Sequence, residues 1–180
     1  MPSSAADLPV GAITRLLMAT IGNWAYVLKC KLAVASARRR EDPLKLAHTI
    51  RHLGDAYYYA GRWALAEPCY VEALSIYRRH ERSPQLDLAN AIRSFAVLKD
   101  EVGAAEQSQS LWQEAHDLYV ALKISAGVAE SAARLALLAR RHGDLTRSRE
   151  CLKEASAAAD ATDDPETRQY IRHVTAQLAT

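Results

Sequence analysis

Two histidines one helical turn apart, His48 and His52, with Asp55 three residues further on, have a spacing that could hold a metal in this 180-residue chain. An i, i+4 pair puts both imidazoles on one face of a helix, which is metal-ligand spacing. The hydrolytic H-E-x-x-H form needs Glu directly after the first His, and Thr49 stands there. Arg51, next to His52, adds a charge that repels a cation. The pair is therefore read as groove or surface residues. A metal-binding enzyme using His48 and His52 is kept as the alternative of a different class. Other catalytic arrangements are missing: there is no Gly-rich phosphate loop, no Gly-x-Ser-x-Gly and no Cys-x-x-Cys. Cys30, Cys69 and Cys151 are few, odd in number and set in helical runs, which fits small core thiols in a reducing compartment. His80, His116, His142 and His173 show no partner pattern, and Trp24, Trp63 and Trp112 are read as packing residues. The expectation is a protein without catalysis, cofactor or metal.

The elements that must position these residues are helices. The chain holds 34 Ala and 22 Leu against 7 Gly, 6 Pro and 1 Phe. Ala and Leu lead the helix propensities, and strand-favouring runs are absent. Gly22, Gly61, Gly103 and Gly143 recur near every 40 residues, as helix-ending residues would. Asp42-Pro43, Ser83-Pro84 and Asp164-Pro165 read as helix starts, with Ser125-Ala126-Gly127 filling the missing place. Each period then contains two helices. Ile50, Leu53, Tyr57 and Ala60 mark one apolar face, and Trp63, Ala66, Tyr70, Ala73 and Ile76 or Tyr77 its partner. The next period repeats this with Ile92, Phe95, Val102, Trp112, Ala115 and Tyr119, and the third with Ala132, Leu135, Ala139, Leu152 and Ala155. Expected boundaries are a degenerate helical hairpin at 8–40, repeats at 42–82, 83–124 and 125–162, and a capping helix at 164–180, all in one domain. The hairpin's candidate core is Val10, Ile13, Leu17, Tyr26, Cys30 and Ala33.

Ile50-x-x-Leu53-Gly54-x-x-Tyr57 followed by Ala66-x-x-x-Tyr70-x-x-Ala73 resembles the tetratricopeptide repeat (TPR) signature, with Gly61 at the interhelical turn. The second unit departs from it: Phe95-Ala96 replaces Leu-Gly, Lys99 takes the Tyr place and Ser108 the first Ala. The third runs Leu135-Ala136, Ala139, Gly143, Ser148, Leu152, Ala155. The long period and the run Ala66-Glu67-Pro68-x-Tyr70-x-x-Ala73-Leu74-x-Ile76 are similar to the kinesin-light-chain variety of this family. The resemblance implies an all-α, right-handed superhelical solenoid of antiparallel helix pairs, about 8–9 helices in all. It also implies a scaffold that takes a peptide or protein segment in a concave groove lined by the first helix of each unit.

In family terms the groove-facing places of the first unit are His48, Arg51, His52, Asp55, Tyr58 and Tyr59. Those of the second are Asn90, Arg93, Ser94, Val97, Asp100 and Glu101, and of the third Glu130, Ala133, Arg134, Leu137, Arg140 and Arg141. Arg51, Arg93 and Arg134 would suit an acidic or carboxylate-terminated peptide, because guanidinium bonds carboxylates in a two-pronged fork. A solvated polar face with incidental arginines is the rival reading. The chaperone-type carboxylate clamp is rejected, since Asp55, Ser94 and Glu130 stand where it wants Asn, Asn and Lys. A net charge of +2 from 23 basic and 21 acidic residues announces neither nucleic acid nor membrane. Arg38-Arg39-Arg40 and Arg140-Arg141 are explained as cations at helix C-termini. The longest uncharged apolar stretch, Leu16 to Leu28, is too short to cross a bilayer. The expected partner is a protein or peptide in the cytoplasm, with self-association through Val97 and Leu137, or a sensor role within a larger regulator, as further readings.

Overall fold

Helix boundaries follow the Gly and Asp punctuation closely. The computed structural model describes residues 10–179, with side chains from residue 24 onward. Among the described residues there are eight helices and no strand: α1 (Val10–Arg39), α2 (Pro43–Tyr59), α3 (Trp63–Arg79), α4 (Gln85–Glu101), α5 (Ala105–Leu122), α6 (Ser125–Arg141), α7 (Leu145–Asp160) and α8 (Pro165–Ala179). The first helices of successive pairs start at Pro43, Gln85, Ser125 and Pro165, so α8 keeps step with α2, α4 and α6. The chain forms two compact units, Met1–Ala73 and Leu74–Thr180, with the division inside α3.

Each pair turns at a glycine in the left-handed conformation. After α2, Gly61 (φ 69°) donates to the Tyr58 carbonyl at 2.9 Å and Arg62 to the Tyr57 carbonyl at 2.8 Å. These two bonds satisfy carbonyls that the helix end leaves open, and glycine reaches this φ without a Cβ clash. Gly103 and Gly143 repeat the arrangement. Gly22 does not. Where a hairpin was expected at 8–40, one helix runs Val10–Arg39, because no proline interrupts the segment and a lone glycine costs a helix only about 1 kcal/mol. Val10, Ile13 and Leu17, proposed as core there, lie outside the residues with described side chains. Tyr26 and Ala33 are exposed, and the buried face of α1 is Val27, Cys30, Val34 and Ala37, packed on α2.

The helix starts hold with two corrections. Asp42 accepts from the Lys45 N–H at 3.0 Å, and Asp144 caps α7 through the Arg147 N–H at 2.9 Å. Ser83 caps nothing: α4 starts at Gln85 with Pro84 as its N-cap, and the Ser83 hydroxyl is buried without a partner. At Ser125-Ala126-Gly127 a helix does start, but Ser125 is its first residue and Ile124 its N-cap, and at Gly127 the Tyr119 ring packs so closely that a Cβ would collide with it.

Small residues recur where helices touch. Ala73, Ala115 and Ala155 occupy the same place in α3, α5 and α7 and are fully buried. Ser108 and Ser148 stand where α3 has Ala66 and are buried too. Their hydroxyls are satisfied, Ser108 by Asp100 and Ser148 by the Ala136 carbonyl at 2.9 Å. Trp112, Tyr119, Tyr70 and Tyr77 fill the core between these contacts. Trp24 and Trp63 are 46% and 40% exposed, so their assignment to packing faces is corrected, as is that of exposed Val102. Trp63 opens α3, whereas Trp24 lies mid-helix on the exposed side of α1.

Enlarging the contact residues is expected to destabilise unit 2. Ala115→Leu and Gly127→Ala should each lower the unfolding free energy by about 1–3 kcal/mol through overpacking, read from urea titration. A Gly→Ala change in an open helix would instead gain about 1 kcal/mol, so the sign at Gly127 tests the close approach. A second expectation concerns α8. Thr167, through its hydroxyl and its N–H, together with the Glu166 N–H, holds the Asp164 carboxyl below its ordinary range. A depressed folded-state pKa means the cap contributes fully above the unfolded value and fades as pH falls through the folded one. The stability gap between wild type and Asp164→Ala should be full at pH 7 and close on acidification; a gap independent of pH contradicts the cap.

Candidate functional site

In the first unit, α2 brings four expected residues into one hydrogen-bonded chain. His48 and His52 approach Nε2 to Nε2 at 3.1 Å, and the Arg51 guanidinium reaches the His52 Nε2 at 3.0 Å. Arg51 also donates to Asp55 at 3.1 Å, and the other Asp55 oxygen accepts from the Tyr70 hydroxyl of α3 at 2.9 Å. Burial, followed by the Asp55 charge, raises the Tyr70 pKa, which keeps this hydroxyl a donor. The guanidinium lies against the His52 Nε2, one of the nitrogens a metal would need. Among the described residues no group of three or more His, Cys, Asp or Glu converges as metal ligands. Tyr58 and Tyr59 stack edge to face at 5.3 Å, with Tyr59 exposed.

In the second unit, α4, α6 and α8 enclose an open cleft of about 420 Å³ whose lining includes Asn90, Arg93, Glu130, Arg134 and Tyr170. Arg93 binds Glu130 with two prongs, Nε at 2.5 Å and Nη2 at 3.1 Å. Arg134 lies 5.7 Å from the Trp112 ring and 5.5 Å from the Tyr170 ring, with Asp100 at 3.7 Å. Asn90 accepts from the Tyr119 hydroxyl at 2.8 Å, which ties the cleft floor to α5. A smaller cleft of about 210 Å³ adjoins Asp100, Glu101, Arg134, Leu137 and Arg141.

Not every expected residue faces a cleft. Ser94 is buried. Val97 packs on the Ala96, Trp112, Leu135 and Leu138 cluster, while Leu137 both packs on the cluster of α6, α7 and α8 and borders the smaller cleft. Asp100 spends its carboxylate on Ser108 and the Trp112 indole, the latter at 2.9 Å. It therefore holds α4 to α5 as much as it lines the cleft. Every arginine proposed to greet an acidic peptide already has a carboxylate neighbour within the chain.

One set of ionic contacts escaped the residue pattern. Glu72, Glu114 and Glu154 hold the same repeat place on α3, α5 and α7. Each meets a basic side chain from an earlier helix: Arg38 of α1 at 2.9 Å, Arg78 of α3 at 2.7 Å and the His116 imidazole of α5 at 3.3 Å. His116, read as patternless, is buried between Glu154 and the Ser131 hydroxyl at 3.1 Å. The periodic glutamates were the available signal.

Residues 46–81 match the family model of the tetratricopeptide repeat. This chain carries a tetratricopeptide repeat. Solved structures share its fold. BtubC (BKLC) from P. vanneervenii matches with a TM-score of 0.71 at 19% identity, over 87% of this chain and 65% of that one. The chain thus spans just under two thirds of that relative's length. The nearly identical TPR-like repeats of a Podosopora anserina protein assigned as a kinesin light chain match with a TM-score of 0.68 at 16% identity, covering 91% of this chain and 85% of theirs. A variant of the same protein gives 0.69 at 16%, covering 91% and 84%. No curated protein matches this sequence. The fold is the all-α, kinesin-light-chain-like TPR fold. Repeats of this class are generally protein-interaction scaffolds. Among the described residues, no helix is long and apolar enough to cross a membrane.

The thiols complete the inventory. All three cysteines are unpaired, and burial pushes Cys69 up to about 11, with Cys30 and Cys151 raised for the same first reason. Cys69 also donates to the Leu65 carbonyl at 3.3 Å. At neutral pH its thiolate should be roughly a hundredfold scarcer than in an ordinary cysteine. Alkylation followed by mass spectrometry should label Cys69 slowly at pH 7.4 and accelerate steadily up to about pH 11. Rapid labelling at pH 7.4 contradicts its assignment as a packing residue.

Proposed function

We propose that this chain is a non-catalytic scaffold that binds a peptide or protein segment on the faces formed by the first helix of each pair, in the cytoplasm. The observation that carries this reading is the open cleft of unit 2, where Asn90, Arg93, Glu130 and Arg134 converge from α4 and α6 beside Tyr170 of α8. Such a cleft offers a rigid wall, two guanidinium groups and an aromatic edge. That suits an extended segment with a carboxylate and an apolar anchor. Arg51, His52, Asp55 and the Tyr58–Tyr59 pair give α2 a comparable face in unit 1. Three unpaired thiols agree with a reducing compartment.

Internal pairing shapes the chemistry. A peptide carboxylate must exchange with Glu130 on Arg93, and that exchange offsets part of the binding energy. Affinity is therefore governed by the competition between the two carboxylates.

Peptides selected from a random library on the purified chain provide the test. Arg93→Ala and Arg134→Ala should each weaken an acidic selected peptide by about tenfold or more, a loss of about 1.4 kcal/mol. Glu130→Gln removes the competitor and should strengthen the same peptide. If all three variants keep wild-type affinity and melting temperature, the cleft is not the binding site.

A further inference from the structure

Among the described side chains of helix α1, residues 24–39, there are two apolar faces, one buried and one exposed. Val27, Cys30, Val34 and Ala37 are buried against α2. On the opposite side Trp24, Ala25, Leu28, Leu32 and Ala35 are exposed, with Leu28 at 58% and Leu32 at 65%. At about 100° per residue these five fall within about 60° of one line, which is turned about 150° from the centre of the buried face. Ala25, Leu28, Leu32 and Ala35 are spaced three, four and three residues apart, the alternation of a coiled-coil seam. Lys29 and Lys31, both exposed, border the stripe on its two sides. Arg62 lies 4.3 Å from the Trp24 ring at one end of it. From Val10 to Arg39 the helix contains no Asp or Glu.

We propose that this outer stripe of α1 docks an amphipathic helix of a partner protein, one with a leucine-type seam flanked by Asp or Glu. Charge complementarity selects that occupant. A second copy of α1 would set lysines against lysines at the flanking positions, which is repulsive. A bilayer surface would bury the same residues and leave the lysines at its interface, so vesicle binding is the competing outcome of the test. An acidic-flanked helix instead buries Leu28 and Leu32 while giving Lys29 and Lys31 opposite charges. The surface lies wholly in unit 1 and does not depend on the clefts of the first helices.

The probe is a synthetic three-heptad peptide with Leu at the seam and Glu at the flanking positions, used where it is monomeric. Its counterpart has Lys in place of Glu. Titrated into the full chain, the Glu peptide should bind at least tenfold more tightly than the Lys peptide. L28S/L32S should cost at least tenfold without altering helicity or melting, because both leucines are exposed. K29E/K31E should invert the preference between the peptides, and this readout does not depend on losing apolar surface. Four results overturn the proposal: no binding of the Glu peptide by folded protein, equal binding of both peptides, a wild-type dimer that L28S/L32S converts to monomer, or attachment to anionic phospholipid vesicles alone.

Discussion

The closest helix contacts in this chain run through Ala, Ser and Gly, and the placement of the larger side chains follows from that approach. Gly54 lies under the Tyr70 ring, where an added Cβ would come within 2.7 Å of the ring edge, and Gly127 lies under Tyr119 in the same way. Aromatic bulk on one helix is thus matched by missing bulk on its neighbour. Matched bulk of this kind lets helices approach closely without leaving voids. The core aromatics Tyr70, Trp112 and Tyr119 also carry polar tips, and each tip reaches a polar residue of a first helix: Asp55, Asp100 or Asn90. One contact therefore does two jobs. It sets the spacing of a pair and fixes the side chains on the first-helix face.

That coupling explains why the first-helix faces are more self-satisfied than their residue types suggest. Asp55 and Asp100 are held from behind by the second helix and from the side by an arginine. A face built this way is preorganised, because its charged groups are locked before a ligand arrives. It is also selective, because a ligand must offer more than the carboxylate already present. On the second helices the pairs Arg38–Glu72 and Arg78–Glu114 are half exposed, so they contribute little to stability and more to the choice of neighbour.

Much of the fold was legible in the residues. Turn glycines, capping aspartates and helical spacing are local signals that act within a few residues, and Gly61, Asp42 and the Ile50–Tyr57 face all behaved as their chemistry requires. Legibility failed where a signal had two meanings. Gly22 carries the turn residue's composition and Ser125 the capping residue's, yet one lies within a continuous helix and the other follows an Ile124 N-cap. Trp24 and Trp63 are large and apolar, but no neighbouring helix covers them fully. The candidate face was legible as a set of positions. It was not legible as a set of interactions.

By itself, the sequence determined the helix class, the repeat step and which positions carry no bulk, because these depend on backbone conformation and on period. Only the tertiary structure decided that Arg93 is spent on Glu130, that Asp100 serves Trp112, that His116 sits between Ser131 and Glu154, and that Trp24, Leu28 and Leu32 of α1 are exposed. Each of those outcomes turns on a distance of a few ångströms between residues far apart in the chain. Coulomb and hydrogen-bond energies change steeply over that range, while residue spacing along one helix does not report it.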